Sequence, residues 1–306
     1  MRGVPAARPA PARAARAAVR LLRRRDPVDG MTVMTGMTGA NGRRGGGTAL
    51  ALDLGTARTR LLLSGSTAIK ERPSACGDPG ARRWPVRHGM VADMPGCARL
   101  VRTALGDAVS ERHPPLERVL VGVPVAASRL DRRAAYAAVS SAARCRVTIV
   151  EEPLAAAVGC GVDIADPRPR LLLDAGAGIA EAVVIRAGEI ADAGAVQVAT
   201  GDPAEGTGCP PYARERVVAM VADLIARVPA ALRATARQQG LLVTGGGARD
   251  PELARKLCAE LRITVSPAAD PANATVRGLA CLLSTVEHRT SGTSAIGRKD
   301  VDDDHQ

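Results

Sequence analysis

Aromatic residues are almost missing from this chain: there is no Phe, one Trp and two Tyr among 306 residues. The core is therefore expected to be built from Ala, Val and Leu. Each of these buries less apolar area than an aromatic ring, so modest stability is expected. Trp84 and Tyr212 stand alone, which leaves no stacking platform for nucleic acid. No run of 18 apolar residues occurs, so no membrane-spanning helix is expected. An apolar leader of secretory type is also lacking. No C-x-x-C pair exists, and the seven Cys (76, 97, 145, 160, 209, 258 and 281) are odd in number and widely spaced. That favours reduced thiols in a cytoplasmic protein over a disulfide framework or a zinc site.

Positive charge is present but uneven. The formal net charge is +11, yet residues 1–46 hold ten Arg and two Asp, a charge of +8, leaving +3 for the other 260 residues. A nucleic-acid role argued from the pI would rest on that tail, and no specific nucleic-acid partner is expected. Residues 1–47, rich in Arg, Ala, Pro and Gly, read as a disordered basic tail. Within it, Arg13 to Arg25 could form a short basic helix with Ala14, Ala17, Ala18, Leu21 and Leu22 on its apolar side. Such a helix suits peripheral contact with an anionic membrane surface; the plainer reading is an unstructured leader. Met31, Met34 and Met37 are alternative points at which translation could begin.

The rest of the chain reads as an α/β protein. The run Ala49 to Leu54 reads as a buried strand. A tight turn at Gly55-Thr56-Ala57 follows, and then a second strand begins at Thr59. The same order recurs at Leu171-Leu-Leu-Asp-Ala-Gly-Ala-Gly178, with a strand at about 180–186. Each hairpin leads into alternating helices and strands, which is an internal repeat of an α/β unit. Residues 48–152 form a first half and residues 153–285 a second, with a disordered polar tail over 286–306. Helices are expected near 94–110, 129–143, 153–159, 211–236, 250–260 and 271–284. Two such halves facing each other would make a cleft with one Asp-x-Gly turn on each wall.

The chemistry of those turns points to polyphosphate. Backbone N–H groups of a small-residue loop can turn toward phosphate oxygens, and Gly55, Thr56 and Ala57 offer such a loop. Asp53 can hold a hydrated divalent cation that neutralises the phosphates. The bland alternative is a hairpin whose Asp accepts turn hydrogen bonds. Asp174 would face Asp53, with Gly176 and Gly178 allowing close backbone approach; a second structural hairpin is the alternative. Gly245, Gly246 and Gly247 lie between a strand and a helix, suited either to a nucleoside or to an ordinary βα turn. Arg58 is suited either to a phosphate or to solvent.

Seven collinear blocks resemble one family. Asp53-Leu-Gly-Thr-Ala-Arg-Thr59 looks like the first phosphate loop of the actin and DnaK-like ATPase superfamily, and within it of the MreB-type bacterial actins. Glu71-Arg-Pro-Ser74, His88-Gly-Met-Val-Ala-Asp93, Val123-Pro124 with Asp131-Arg-Arg-Ala134, and Glu151-Glu-Pro-Leu-Ala-Ala-Ala-Val-Gly159 follow in the family's order. Leu173 to Gly178 with Glu181 is similar to its second phosphate loop, and Val243-Thr-Gly-Gly-Gly-Ala248 to its adenosine loop.

The resemblance covers about residues 48–284. It implies duplicated ribonuclease-H-like halves around a nucleotide cleft, binding ATP or ADP with Mg2+. Asp53 and Asp174 would be the metal residues, and Asp174 and Asp131 the catalytic ones. Asp131 would stand where the family has its water-activating glutamate; a helix N-terminal acid is the equal alternative. The resemblance also implies self-association or contact with other bacterial actin subunits, and a role in cell shape or cell-wall organisation.

The departures are specific. Ala177 replaces a glycine and Ile179 a threonine in the second loop, Arg58 replaces an asparagine, and Asp131 is shorter than glutamate. Too few residues stand between Gly178 and Gly245 for the family's inserted subdomain; the stretch includes the loop Gly201 to Pro211. Weak ATP hydrolysis is one expectation. A non-catalytic pseudo-ATPase that scaffolds or caps bacterial actin filaments is the other.

Overall fold

The computed structural model describes residues 47–77, 82–109, 113–198 and 209–292. The basic tail, most of the Gly201–Pro211 loop and the last residues lie outside this set. Two five-stranded sheets have the same strand order. The first is built from β1 (Thr48–Leu54), β2 (Arg58–Leu63), β3 (Lys70–Pro73), β6 (Leu116–Val123) and β7 (Arg146–Glu151), in the order β3-β2-β1-β6-β7. The second contains β8 (Arg170–Ala175), β9 (Ala180–Arg186), β10 (Glu189–Val196), β11 (Leu241–Thr244) and β12 (Val265–Pro267), ordered β10-β9-β8-β11-β12. In each, the first three strands are an antiparallel meander and the last two add in parallel. This is the expected duplicated ribonuclease-H-like α/β architecture. A small hairpin, β4 (Val86–Arg87) and β5 (Met90–Val91), stands beside the first sheet.

The two central strands, β1 and β8, show why the halves meet. Both are buried on both faces, so their side chains sort by parity. On β1, Leu50, Leu52 and Leu54 face outward into a cluster with Leu100 and Val101 of α1 (Met94–Ala108) and Val139 of α2 (Arg129–Ala143). On β8, Leu171, Leu173 and Ala175 face Val217, Val221 and Leu224 of α4 (Pro211–Arg227) and Leu253 and Leu257 of α6 (Pro251–Leu261). The opposite parity, Ala49 and Ala51 on β1 and Leu172 on β8, enters one shared inner core. That core is filled by α3 (Glu152–Gly159) and α7 (Ala274–Gly292).

Several elements differ from expectation, the hairpin of β4 and β5 among them. The helix expected over 211–236 is two helices, α4 and α5 (Ala230–Gln239). The break is at Val228, whose ψ of 129° is the extended conformation imposed by the following Pro229. Strand β10 was not anticipated; it is created by a two-residue turn in which Ala187 and Gly188 have φ of 51° and 89°. Strand β12 begins only at Val265, after Arg262 ends α6 in the left-handed conformation. Helix α7 continues to Gly292, into the segment expected to be tail. No Pro or Gly interrupts it after Gly278.

α3 and α7 cross at backbone contact. A Cβ placed on Gly159 would lie 2.0 Å from the Ala274 carbonyl oxygen, and one on Gly278 would lie 1.7 Å from the Ala155 carbonyl oxygen. Gly278→Ala should therefore destabilise the protein by about 1–3 kcal/mol, the usual cost of overpacking a core site. Gly106→Ala on α1, where an added Cβ meets nothing within 4 Å, should instead be neutral or stabilising by about 0.5–1 kcal/mol. Urea denaturation of the two variants checks both signs.

Candidate functional site

Asp53 and Asp174 are the polar ends of the two inward rows. Asp53 continues Ala49 and Ala51 on β1, and Asp174 continues Leu172 on β8. Both are more than nine-tenths buried, at 7% and 8% exposure. Each stands at the mouth of the same kind of loop. The Gly55 N–H donates to the Arg58 carbonyl at 3.2 Å, and the Gly176 N–H donates to the Ile179 carbonyl at 2.9 Å. In both loops a Cβ on the glycine would lie 2.9 Å from that same carbonyl oxygen. The internal repeat thus extends to the geometry of the turns.

The two loops touch. A Cβ on Gly178 would lie 2.6 Å from Thr56 Oγ1. The hairpin turn between β4 and β5 bridges them: the Gly89 N–H donates to Thr56 Oγ1 at 2.8 Å, and His88 Nδ1 lies 2.7 Å from the Gly178 carbonyl oxygen. The Gly245 loop abuts the second glycine turn at Ala175. Gly245 has φ of 79°, and a Cβ there would lie 2.6 Å from Asp174 Oδ1. Thr244 Oγ1 donates to Asp174 Oδ1 at 3.0 Å. Gly246 and Gly247 open a 3-10 turn over Gly246–Arg249. So Asp53, Gly55, Thr56, Asp174, Gly176, Gly178 and Gly245 line one junction.

Two further carboxylates converge there that the sequence reading did not assign as site residues. Glu152 is the first residue of α3, and Gly122 on β6 leaves room for it: a Cβ at Gly122 would lie 3.0 Å from Glu152 Cγ. Glu181 crosses from the second sheet to accept the Ala126 N–H at 2.9 Å and the Val125 N–H at 3.2 Å. The sequence signal for Glu152 was the Glu-Glu-Pro triplet, but only the fold shows that Glu152 joins Asp53, Asp174 and Glu181 while Glu151, also buried, pairs with Arg132 at 3.3 Å.

Burial dominates the electrostatics. It pushes Asp174 up to about 6, against the Thr244 hydrogen bond and with the Asp53 charge. It pushes Glu181 up to about 7, against its backbone N–H donors. Glu152 is raised well above the ordinary range, first by burial and then by Asp53, Glu181 and Asp174, and its Oε1 has no hydrogen-bond partner. Asp53 is raised by burial, opposed by Arg60.

Other expected residues have different surroundings. Asp131 is the third residue of α2, and its carboxylate accepts the Ser128 N–H at 2.9 Å and the Ser128 hydroxyl at 2.6 Å. The Asp131 N–H returns a bond to Ser128 Oγ, completing a capping box. The helix-terminal alternative thus describes what this side chain does in the structure. Arg58 lies 3.9 Å from Glu71. Ile179 is buried at 5% exposure, closing over the second loop with no hydroxyl to offer.

Among the described residues no three His, Cys, Asp or Glu are grouped as metal ligands, so a magnesium ion beside Asp53 and Asp174 would keep much of its own water. A cavity of about 380 Å³ lies between α4 and α6, lined by Arg214, Glu215, Glu252 and Lys256 among others. It neighbours the glycine loop through Asp250, which caps α6 and pairs with Arg214 at 3.0 Å.

Glu152 generates a pH prediction. In the unfolded chain a Glu ionises near 4.5. The folded state keeps this proton to higher pH, so the group's contribution is retained below that value and lost as pH rises through the folded pKa. Glu152→Gln removes the titration at nearly constant shape. The variant should be more stable than the parent at about pH 8, with the advantage shrinking or vanishing at about pH 4.5. Urea midpoints at the two pH values check this, and an advantage independent of pH would contradict it.

Comparisons with known proteins agree with this geometry. The family model described as MreB/Mbl protein matches residues 81–206. The cell shape-determining protein MreB of Escherichia coli strain K12 is 28% identical over 164 residues, covering 44% of this chain and 47% of its own. Cell shape-determining protein Mbl of Bacillus subtilis is 22% identical over 173 residues, covering 49% of this chain and 52% of its own. The chain thus spans about half the length of these curated relatives. Among solved structures, MreB5 of Spiroplasma citri bound to AMPPNP aligns with a TM-score of 0.71 at 18% identity, over 81% of this chain and 99% of that one. The MamK double helical filament aligns at 0.65 and 17% identity, over 78% and 99%. Family model and curated relatives make part of this chain similar to the MreB-type bacterial actins, and the solved structures show that it has their actin-like fold.

Proposed function

We propose that this chain is a nucleotide-binding actin-like subunit that works in cell shape or cell-wall organisation and hydrolyses ATP weakly. One observation carries the reading. Two buried carboxylates, each at the mouth of the same glycine turn, end inward rows of the two halves and bear on each other. Burying carboxylates costs several kcal/mol each, and such clusters are typical of functional sites.

ATP or ADP would be held at the phosphates by the amides of Gly55, Thr56, Ala57, Gly176 and Gly178. The nucleoside would lie along Gly245, Gly246 and Gly247, toward the cavity at Arg214. A phosphate chain between the loops must part Thr56 from Gly178, so binding is coupled to movement of the halves. Magnesium would meet Asp53 and Asp174 only through its own water. The alternative, a non-catalytic subunit that scaffolds or caps bacterial actin filaments, is favoured by Asp131: its carboxylate is taken by Ser128. A positioned water loses rate steeply when its base is misplaced. Self-association is proposed by analogy with the filament-forming fold neighbour. No helix among the described residues is long and apolar enough to cross a membrane; contact through the basic tail stays a proposal.

Calorimetric titration of the full chain with ADP and ATP tests the reading. Saturable binding with a Kd of about 0.1–1 mM is expected, weakened in Asp53→Ala. No heat of binding up to millimolar nucleotide would sink the nucleotide site. A phosphate-release assay separates the two roles: slow turnover abolished by Asp53→Ala supports the ATPase, and none at all supports the scaffold.

A further inference from the structure

We propose that Arg60, rather than a divalent cation, supplies the main counter-charge for a polyphosphate in this cleft, so that nucleotide binding depends only weakly on magnesium. The proposal rests on the nucleotide reading above and concerns how the same site is neutralised.

Strand register places the charge. Arg60 on β2 pairs with Asp53 on β1, and Glu71 on β3 pairs with Arg60, so an acid–base–acid row crosses three strands. Arg60 Nε donates to Glu71 Oε2 at 2.7 Å, which anchors the guanidinium by its inner nitrogen. Its Nη1 then lies 3.5 Å from Asp53 Oδ2, at the mouth of the first phosphate loop. That separation is an ion pair looser than a charge-assisted hydrogen bond, so the outer nitrogens are held near the loop without a tight partner in Asp53. A guanidinium presents a planar fork suited to two phosphate oxygens, and it does not deprotonate.

The exposures favour the cleft side. The Glu71 side chain is 40% exposed and Arg60 only 16%. Water screens Glu71 more than it screens Arg60 toward Asp53. Meanwhile most of the carboxylates that would hold an ion are otherwise engaged, Glu152 Oε1 being the buried oxygen of the cluster without a hydrogen-bond partner. Asp53 faces Arg60, Asp174 accepts from Thr244, and Glu181 accepts two backbone N–H groups. A cation is already resident where an external one would act.

The test uses the full chain and ADP, titrated by calorimetry in magnesium and in EDTA. For the parent, the two Kd values should agree within about threefold, because the resident guanidinium supplies the charge-assisted contacts. Arg60→Met keeps an apolar stem of similar length and should weaken binding in EDTA by about tenfold or more, the loss of one bidentate charged contact. In magnesium the same variant should lose less. Arg60→Lys should recover part of the metal-free affinity. Melting curves for each variant confirm that the comparison is between folded proteins; if Arg60→Met does not fold, Arg60→Lys and the parent titrations still decide. Parent binding that weakens tenfold or more in EDTA overturns the proposal and leaves the nucleotide site standing. Unchanged EDTA affinity in Arg60→Met also overturns it. An absence of binding in either buffer overturns the site itself.

Discussion

The structure depends on one inner layer that belongs to neither half alone. α3 follows the last strand of the first sheet, α7 follows the last strand of the second, and the two cross at Gly159 and Gly278 with backbone against backbone. This close approach sets the separation of the sheets. With Ala49, Ala51, Ala155, Ala156 and Ala157 in the layer, small side chains take the place of the bulky ones that would hold the sheets further apart. At the end of this layer the inward rows come within electrostatic reach of each other.

What lies at the end of that layer is costly. Asp53, Glu152, Asp174 and Glu181 are all more than nine-tenths buried, and Glu152 Oε1 has no hydrogen-bond partner. Desolvated carboxylates near one another raise each other's proton affinity, and the raised Asp174 and Glu181 follow directly. A core evolved only for stability would replace such groups with apolar ones of similar size. Their presence beside two amide-bearing loops is what supports reading the junction as a functional cleft.

The sequence made the fold legible because the central strands carry period-two rows that end in Asp-x-Gly, and the same phrase occurs twice. It also gave away the helix α2 over 129–143, which begins at the Ser128 cap. What it hid has specific causes. Pro229 breaks one helix into two, and the tight turn at Ala187-Gly188 creates a strand that polar composition had concealed. Glu152 was hidden because Glu151 and Glu152 are adjacent, and the choice between them depends on the start of α3 and on the gap left by Gly122. Asp131 suited a catalytic position and a helix N-terminal acid equally; in the structure its carboxylate accepts from Ser128 at the start of α2.

Arg60 shows how register decides a question that spacing leaves open. Arg58 and Arg60 share one strand face, and a sequence reading singles out Arg58, undecided between phosphate and solvent, because it sits inside the loop motif. Once the Gly55 N–H bonds the Arg58 carbonyl, the loop has a defined length, Leu54 pairs with Thr59, and Asp53 must pair with Arg60. The basic residue that meets the buried acid is then the one outside the motif. The two loops therefore differ in electrostatic character despite equal geometry. In the second hairpin the position opposite Asp174 is Glu181, another acid. The duplicated cleft is thus asymmetric in charge, with its cation on the wall formed by the first half. A bound polyphosphate would be drawn toward β2, with the protonatable carboxylates of the second half left facing its far side.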